Sequence, residues 1–137
     1  MRNRASRWAA SLLALALPSL ALAQVPTVER TARGQANKDI QVGVYINVLQ
    51  NCTSGPLPGI RLVSPPTHGQ VTVKKGKLNG TNYKQCLALE VPGYVAIYRS
   101  APGFSGTDAL VIEVTYPGGR SELQKITVQV RSVGQVT

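Results

Sequence analysis

Phenylalanine, tryptophan, methionine and histidine each occur once in this 137-residue chain, cysteine occurs twice, and six acidic residues face fifteen basic ones. Each shortage removes a kind of chemistry. A single histidine, His68, cannot supply a zinc triad, and cysteines at positions 52 and 86 cannot form a Cys-x-x-Cys unit. Glu90 and Glu113 are the nearest approach to a carboxylate pair, but both stand in segments with strand alternation. There each is expected to face outward toward a lysine on the next strand. No glycine-rich phosphate loop opens a helix, because no segment beyond residue 23 has helical spacing. His68 lacks a carboxylate or nucleophile at a readable spacing, so proton transfer is not expected of it. The chain reads as a non-enzyme without cofactor or metal.

What is present begins with a leader. Arg2, Arg4 and Arg7 precede an apolar run from Trp8 to Leu17, followed by Pro18-Ser19 and Ala21-Leu22-Ala23. A basic start, a short apolar stretch and a small-x-small end predict a secretory signal peptide over residues 1–23, cleaved after Ala23. A membrane anchor is disfavoured because Pro18 and Ser19 interrupt the run short of the roughly 20 residues a spanning helix needs. No cysteine follows Ala23 to accept a lipid. The predicted location is periplasmic or secreted, with no membrane span after cleavage. Losing three arginines leaves twelve basic against six acidic side chains, a net charge of +6, on 114 residues that suit one domain.

Alternation with a period of two runs through that domain. Val42, Val44, Ile46 and Val48 are expected on one face of a strand, with Gln41, Gly43, Tyr45 and Asn47 on the other. The pattern returns in Ile60–Val63, Val71 and Val73, Cys86–Leu89, Tyr94–Tyr98, Leu110–Tyr116 and Ile126–Val130. Turn residues separate these runs, notably at Ser64–Gly69, Pro92-Gly93, Ala101–Gly106 and Tyr116–Gly119. About seven short strands predict an all-β, immunoglobulin-like β-sandwich over residues 39–132. Residues 24–38 show no clear period and read as a flexible lead-in, and 133–137 read as a frayed end.

Two cysteines in an exported chain predict a disulfide, Cys52–Cys86, whose loop closure stabilises by about 4 kcal/mol in the chain-entropy model. The charge concentrates in Lys74, Lys75, Lys77 and Lys84, expected around a turn at Gly76 and Gly80. Such lysines can keep a hairpin edge from self-pairing or can bind an anionic surface.

The stretches Pro66-Thr67-His68-Gly69-Gln70-Val71, Tyr98–Val114 with Pro102, Gly103, Phe104, Gly106 and Asp108, and Ile126–Val130 resemble the bacterial immunoglobulin-like, cadherin-like repeat. The resemblance spans most of residues 60–131 and implies the sandwich fold. Within it, Phe104 is expected to plug the sandwich beneath Tyr98, with Gly103 and Gly106 permitting a tight turn and Asp108 capping that turn by accepting backbone N–H bonds. His68 and Gly69 mark a strand entrance. The calcium clusters of such repeats are missing, since Asp39 and Asp108 are the sole aspartates. One copy cannot build a stalk.

Three functions fit these residues. The first is an envelope binding module that holds a protein or glycan through a sheet edge or loop end. The second is an electrostatic binder of lipid, polysaccharide or nucleic acid through the lysines. The third is an inhibitor of an exported enzyme, acting through Ser54–Gly59. Edge strands could also pair two copies into a homodimer.

Overall fold

A computed structural model of the chain describes residues 11–17, 24–80, 86 and 89–133. Lys84, residues 134–137 and much of the predicted leader lie outside the described residues. Residues 11–17 are exposed and have no regular structure, and no helix among the described residues is long and apolar enough to cross a membrane.

Seven strands form two sheets: β1 (Thr27–Gln35), β2 (Asp39–Tyr45), β3 (Gly59–Ser64), β4 (Gly69–Gly80), β5 (Leu89–Ser100), β6 (Gly106–Thr115) and β7 (Ser121–Arg131). One sheet has the order β1-β7-β6-β3 and the other β2-β5-β4. All pairings are antiparallel except β1 with β7. This is an immunoglobulin-like sandwich. Its core joins Ile40, Val42 and Tyr45 of β2 and Ala96 and Tyr98 of β5 to Leu110, Ile112 and Val114 of β6 and Ile126, Val128 and Val130 of β7. These positions recur every second residue within each strand of the β6–β7 hairpin, as the pleat requires when one face meets another sheet.

The predicted count of seven is met by different strands. The stretch expected as a flexible lead-in is instead strand β1, paired in parallel with β7 along nine residues from Thr27↔Leu123 to Gln35↔Arg131. Val28, Ala32 and Gly34 are half-buried and Arg30 shares their face at its exposed margin, so a cation and a glycine hide the apolar alternation. The chain then changes sheets at Asn37, whose positive φ of 56° suits an asparagine. There Ala36 N–H donates to Arg131 C=O and Asn37 N–H to Ser100 Oγ.

The turn expected at Pro92-Gly93 is instead the interior of one strand, β5, which runs from Leu89 to Ser100; Leu87 and Ala88 of the run expected before it lie outside the described residues. The ladder with β4 continues without a break from Gly69↔Ser100 to Gly80↔Leu89, so Gly76 and Gly80 are strand positions rather than a turn. Proline is tolerated inside β5 for a geometric reason. Ala101 N–H donates to His68 C=O, and alternation from that bond directs the backbone nitrogen of Pro92 away from β4. On that side β2 has already ended, its last partner being Tyr45↔Tyr94. No ladder bond is lost.

The face of β2 also departs from simple alternation. Ile40 and Val42 are buried, but the next buried residue is Tyr45, while Val44 is 45% exposed. A bulge between Gln41 and Gly43 rotates the strand by one residue and brings Tyr45 inward.

Gly69 is required by close approach: a Cβ there would lie 2.6 Å from the Arg99 carbonyl oxygen and 2.6 Å from the Tyr98 ring. Gly69→Ala is therefore expected to cost about 2 kcal/mol, the range for overpacking a rigid site. Chemical denaturation measures it, and an unchanged midpoint would show that β4 and β5 can separate there.

Candidate functional site

Two parts of the molecule collect the chemically distinctive side chains. The first is the sandwich end where the β3–β4 connection meets the β5–β6 connection. Asp108 opens β6 almost fully buried, at 4% exposure. Its carboxylate accepts from Thr67 N–H at 3.1 Å, His68 N–H at 2.9 Å, Ala109 N–H at 2.9 Å and Tyr98 O–H at 2.8 Å. The cap predicted for Asp108 thus acts mainly on the entrance to β4, not on the turn around Phe104. Burial alone would raise the carboxyl pKa, but the Tyr98 hydroxyl and the three backbone donors outweigh it and hold the pKa below its ordinary value. Burial, and next the Asp108 bond, push the Tyr98 hydroxyl far up.

Phe104 packs against the core and presents one ring face to His68, with centroids 4.3 Å apart and planes 9° from parallel. Gly103, at φ 81°, and Gly106, at φ 133°, carry the backbone around it in conformations that favour glycine. Pro102 lines an open cleft of about 470 Å³ together with His68, Gln70, Arg99 and Ser100. Arg99 is already occupied, donating to Asn37 C=O at 3.0 Å and lying 3.5 Å from Asp39. So the structure brings His68, Gly69, Tyr98, Phe104 and Asp108 together as a structural knot. Asp108 meets His68 through the backbone amide, and all of its acceptor capacity serves the fold. Among the described residues, no three His, Cys, Asp or Glu side chains are grouped to hold a metal.

The second part is the outer edge of β4. Lys74, Lys75 and Lys77 are exposed, and none lies within ion-pair distance of a described acid. Among the described residues the expected lysine partners for the glutamates are not formed: Glu113 pairs with Arg61 at 3.2 Å across β3 and β6, and Glu90 stands opposite Asn79. Of the four sheet edges, β4 is the longest at twelve residues, has no register break along its ladder, and contains neither proline nor an acidic residue. The β3 edge is half as long and bulged between Leu62 and Ser64, while β1 and β2 close the opposite side of the sandwich against each other.

The disulfide joins Cys52 to Cys86 with Cα atoms 5.4 Å apart. Cys52, at φ 63°, tips a small excursion held by Leu49 N–H to Thr53 C=O, Cys52 N–H to Leu49 C=O and Gly55 N–H to Asn47 C=O. The bond therefore fastens the β2–β3 connection to the segment joining β4 and β5.

One buried polar group escaped sequence reasoning. Gln124 faces inward, accepts from Tyr45 O–H at 2.8 Å, and donates to Glu122, which also accepts from Tyr116 O–H. Burial pushes the Tyr45 pKa up to about 12 against the opposing charge of Arg30. The network satisfies its own members beside a hollow of about 400 Å³ lined by Arg30, Val44 and Pro58. Only the bulge in β2 makes it, and alternation gives no signal for a bulge.

The fold and these surfaces define an all-β, immunoglobulin-like sandwich with one long strand edge that no other described strand pairs with. Comparison of the chain with protein-family models, with curated proteins and with solved structures finds no match.

Proposed function

We propose that this protein is a non-catalytic binding module, exported to the cell envelope, that holds a protein or glycan partner along the free edge of β4. The observation that carries the reading is the edge itself. Along these twelve residues of regular strand no other described strand takes up the backbone N–H and C=O groups of one side, and such an edge is a template for strand addition. Of the motif residues that resemble the bacterial cadherin-like repeat, His68, Gly69, Tyr98, Phe104 and Asp108 serve the knot that sets the start of β4. We read the chain as a single copy of that repeat.

Val73→Pro tests this reading selectively. Residues of odd number in β4 direct their amides away from β5, so proline at 73 removes an outward donor and leaves the β4–β5 ladder intact. Saturable capture of an envelope component by the wild type should fall by roughly tenfold or more in the variant, with the melting temperature little changed. Equal capture by both proteins would remove β4 as the binding edge.

The unpaired state of Lys74, Lys75 and Lys77 favours a second reading, adhesion to an anionic surface with Lys84 contributing. Vesicles containing phosphatidylglycerol should then bind with steep salt dependence, and replacing the four lysines by glutamine should abolish binding. Val73→Pro should leave that binding unaltered.

A further inference from the structure

The four edges of the sandwich are not equivalent, and the side chains along β4 are ordered in a way that constrains what can pair with it. Alternation from the Ala101 N–H···O=C His68 bond places the backbone groups of Val71, Val73, Lys75 and Lys77 on the free side of β4. The side chains of the same four residues share one face of the sheet. That face is the inner one, since Val71 stands opposite the fully buried Tyr98 and packs against the core. Val73 lies at the margin and is 40% exposed, and Lys75 and Lys77 are exposed beyond it. Lys74 belongs to the outer face. The docking edge therefore presents two aliphatic positions followed by two cationic ones, every second residue.

A second copy of this chain is a poor occupant. Symmetric antiparallel pairing about Lys75 sets Lys75 opposite itself, and pairing about Gly76 sets Lys75 opposite Lys77. Either arrangement brings six ammonium groups to one seam with no acid in β4 to offset them, and like charges opposite one another destabilise a strand pair. The same lysines favour a foreign strand of opposite charge, because complementary charge selects partner and register at once.

We infer that the segment accepted by the β4 edge is an extended peptide with a period of two, carrying acidic side chains opposite Lys75 and Lys77 and aliphatic side chains opposite Val71 and Val73. This rests on the reading of β4 as the binding edge, and it names the chemistry of the partner. Paired antiparallel, such a segment reads acidic-x-acidic-x-aliphatic-x-aliphatic from its N-terminus. Its backbone takes up the free amides and carbonyls, and its aliphatic half covers the exposed margin of the core.

The test is fluorescence polarisation at physiological salt, with the purified protein and labelled peptides containing Glu-Thr-Glu-Thr-Val-Thr-Val or, as the control, Lys-Thr-Lys-Thr-Val-Thr-Val. The acidic peptide is expected to bind at least roughly tenfold more tightly than the basic one. The Lys75→Glu/Lys77→Glu double variant should reverse that preference, whereas Lys74→Glu, on the other face, should have a much smaller effect. Equal affinity for the two peptides, no binding of either, or a Lys74→Glu effect as large as that of Lys75→Glu overturns the inference. Val73→Pro separates the levels. If it abolishes envelope capture while the peptides show no charge preference, the β4 reading stands and the acidic partner falls. If peptide binding survives the proline unchanged, strand addition is wrong, and salt-dependent vesicle binding that also survives it puts the anionic-surface reading in its place.

Discussion

Asp108→Ala is expected to lower the unfolding free energy by about 3–4 kcal/mol, and with it the melting temperature by roughly 12–18 °C for a domain of this size. The substitution strands four donors at once. Tyr98 O–H is fully buried, where water cannot replace the carboxylate without opening the sandwich end, and the part-buried amides of Thr67 and His68 lose the bonds that hold the entrance to β4. Tyr98→Phe removes one donor only and should cost about 1–2 kcal/mol. If Asp108→Ala proved as mild as Tyr98→Phe, the backbone contacts would be without energetic weight.

The same carboxylate sets a pH dependence. Its folded pKa is depressed, so its contribution is complete above the ordinary carboxyl value of 3.8 and is lost as pH falls through the lower folded value. The stability difference between wild type and Asp108→Asn should therefore be constant from neutral pH down to about 5 and shrink below pH 4. Denaturant titration at several pH values measures this difference. A gap that persisted undiminished into strong acid would contradict the assignment.

Replacing Cys52 and Cys86 by alanine together is expected to destabilise the protein by about 4 kcal/mol, from the entropy of closing a loop across a sequence separation of 34. Neither cysteine belongs to the principal core cluster. The sandwich should consequently retain its fold, with native chemical shifts preserved at Tyr98 and in the β6–β7 hairpin, and lose only stability. Losses confined to the β2–β3 connection, as seen by hydrogen exchange, would agree with a bond that fastens this excursion to the segment between β4 and β5. Global loss of native shifts in dilute buffer would instead make the disulfide a condition of folding.

The motif residues and the lysines have separate uses. Asp108, Tyr98, His68, Gly69 and Phe104 are consumed by architecture, and their bonds to one another set the first residues of β4. The lysines that follow along the same strand carry no such duty. Their substitution should leave stability almost unchanged while altering association, which is the behaviour of a surface set for recognition rather than for folding.

Period-two alternation alone established the all-β class, the β6–β7 hairpin and most of the core, because those strands bury one face and the pleat writes that burial directly into residue order. The spare cysteine pair was legible in the same way, since two thiols without other partners leave one bond to form. Strand β1 was not legible, because Arg30 and Gly34 stand on the face of its half-buried residues and β1 is held mainly by a parallel ladder to a strand some ninety residues away. The inward turn of Tyr45 was hidden by a bulge, and the burial of Gln124 by a partner 79 positions distant. Lys74, Lys75 and Lys77 stood out as a cluster, but their assignment to a turn failed because glycine at 76 reads the same in a turn and in a strand. That they lie along an open edge, with two on one face and one on the other, follows from the order β2-β5-β4 and its register. Sheet order arises from contacts between residues distant in the chain, and local pattern carries no record of them.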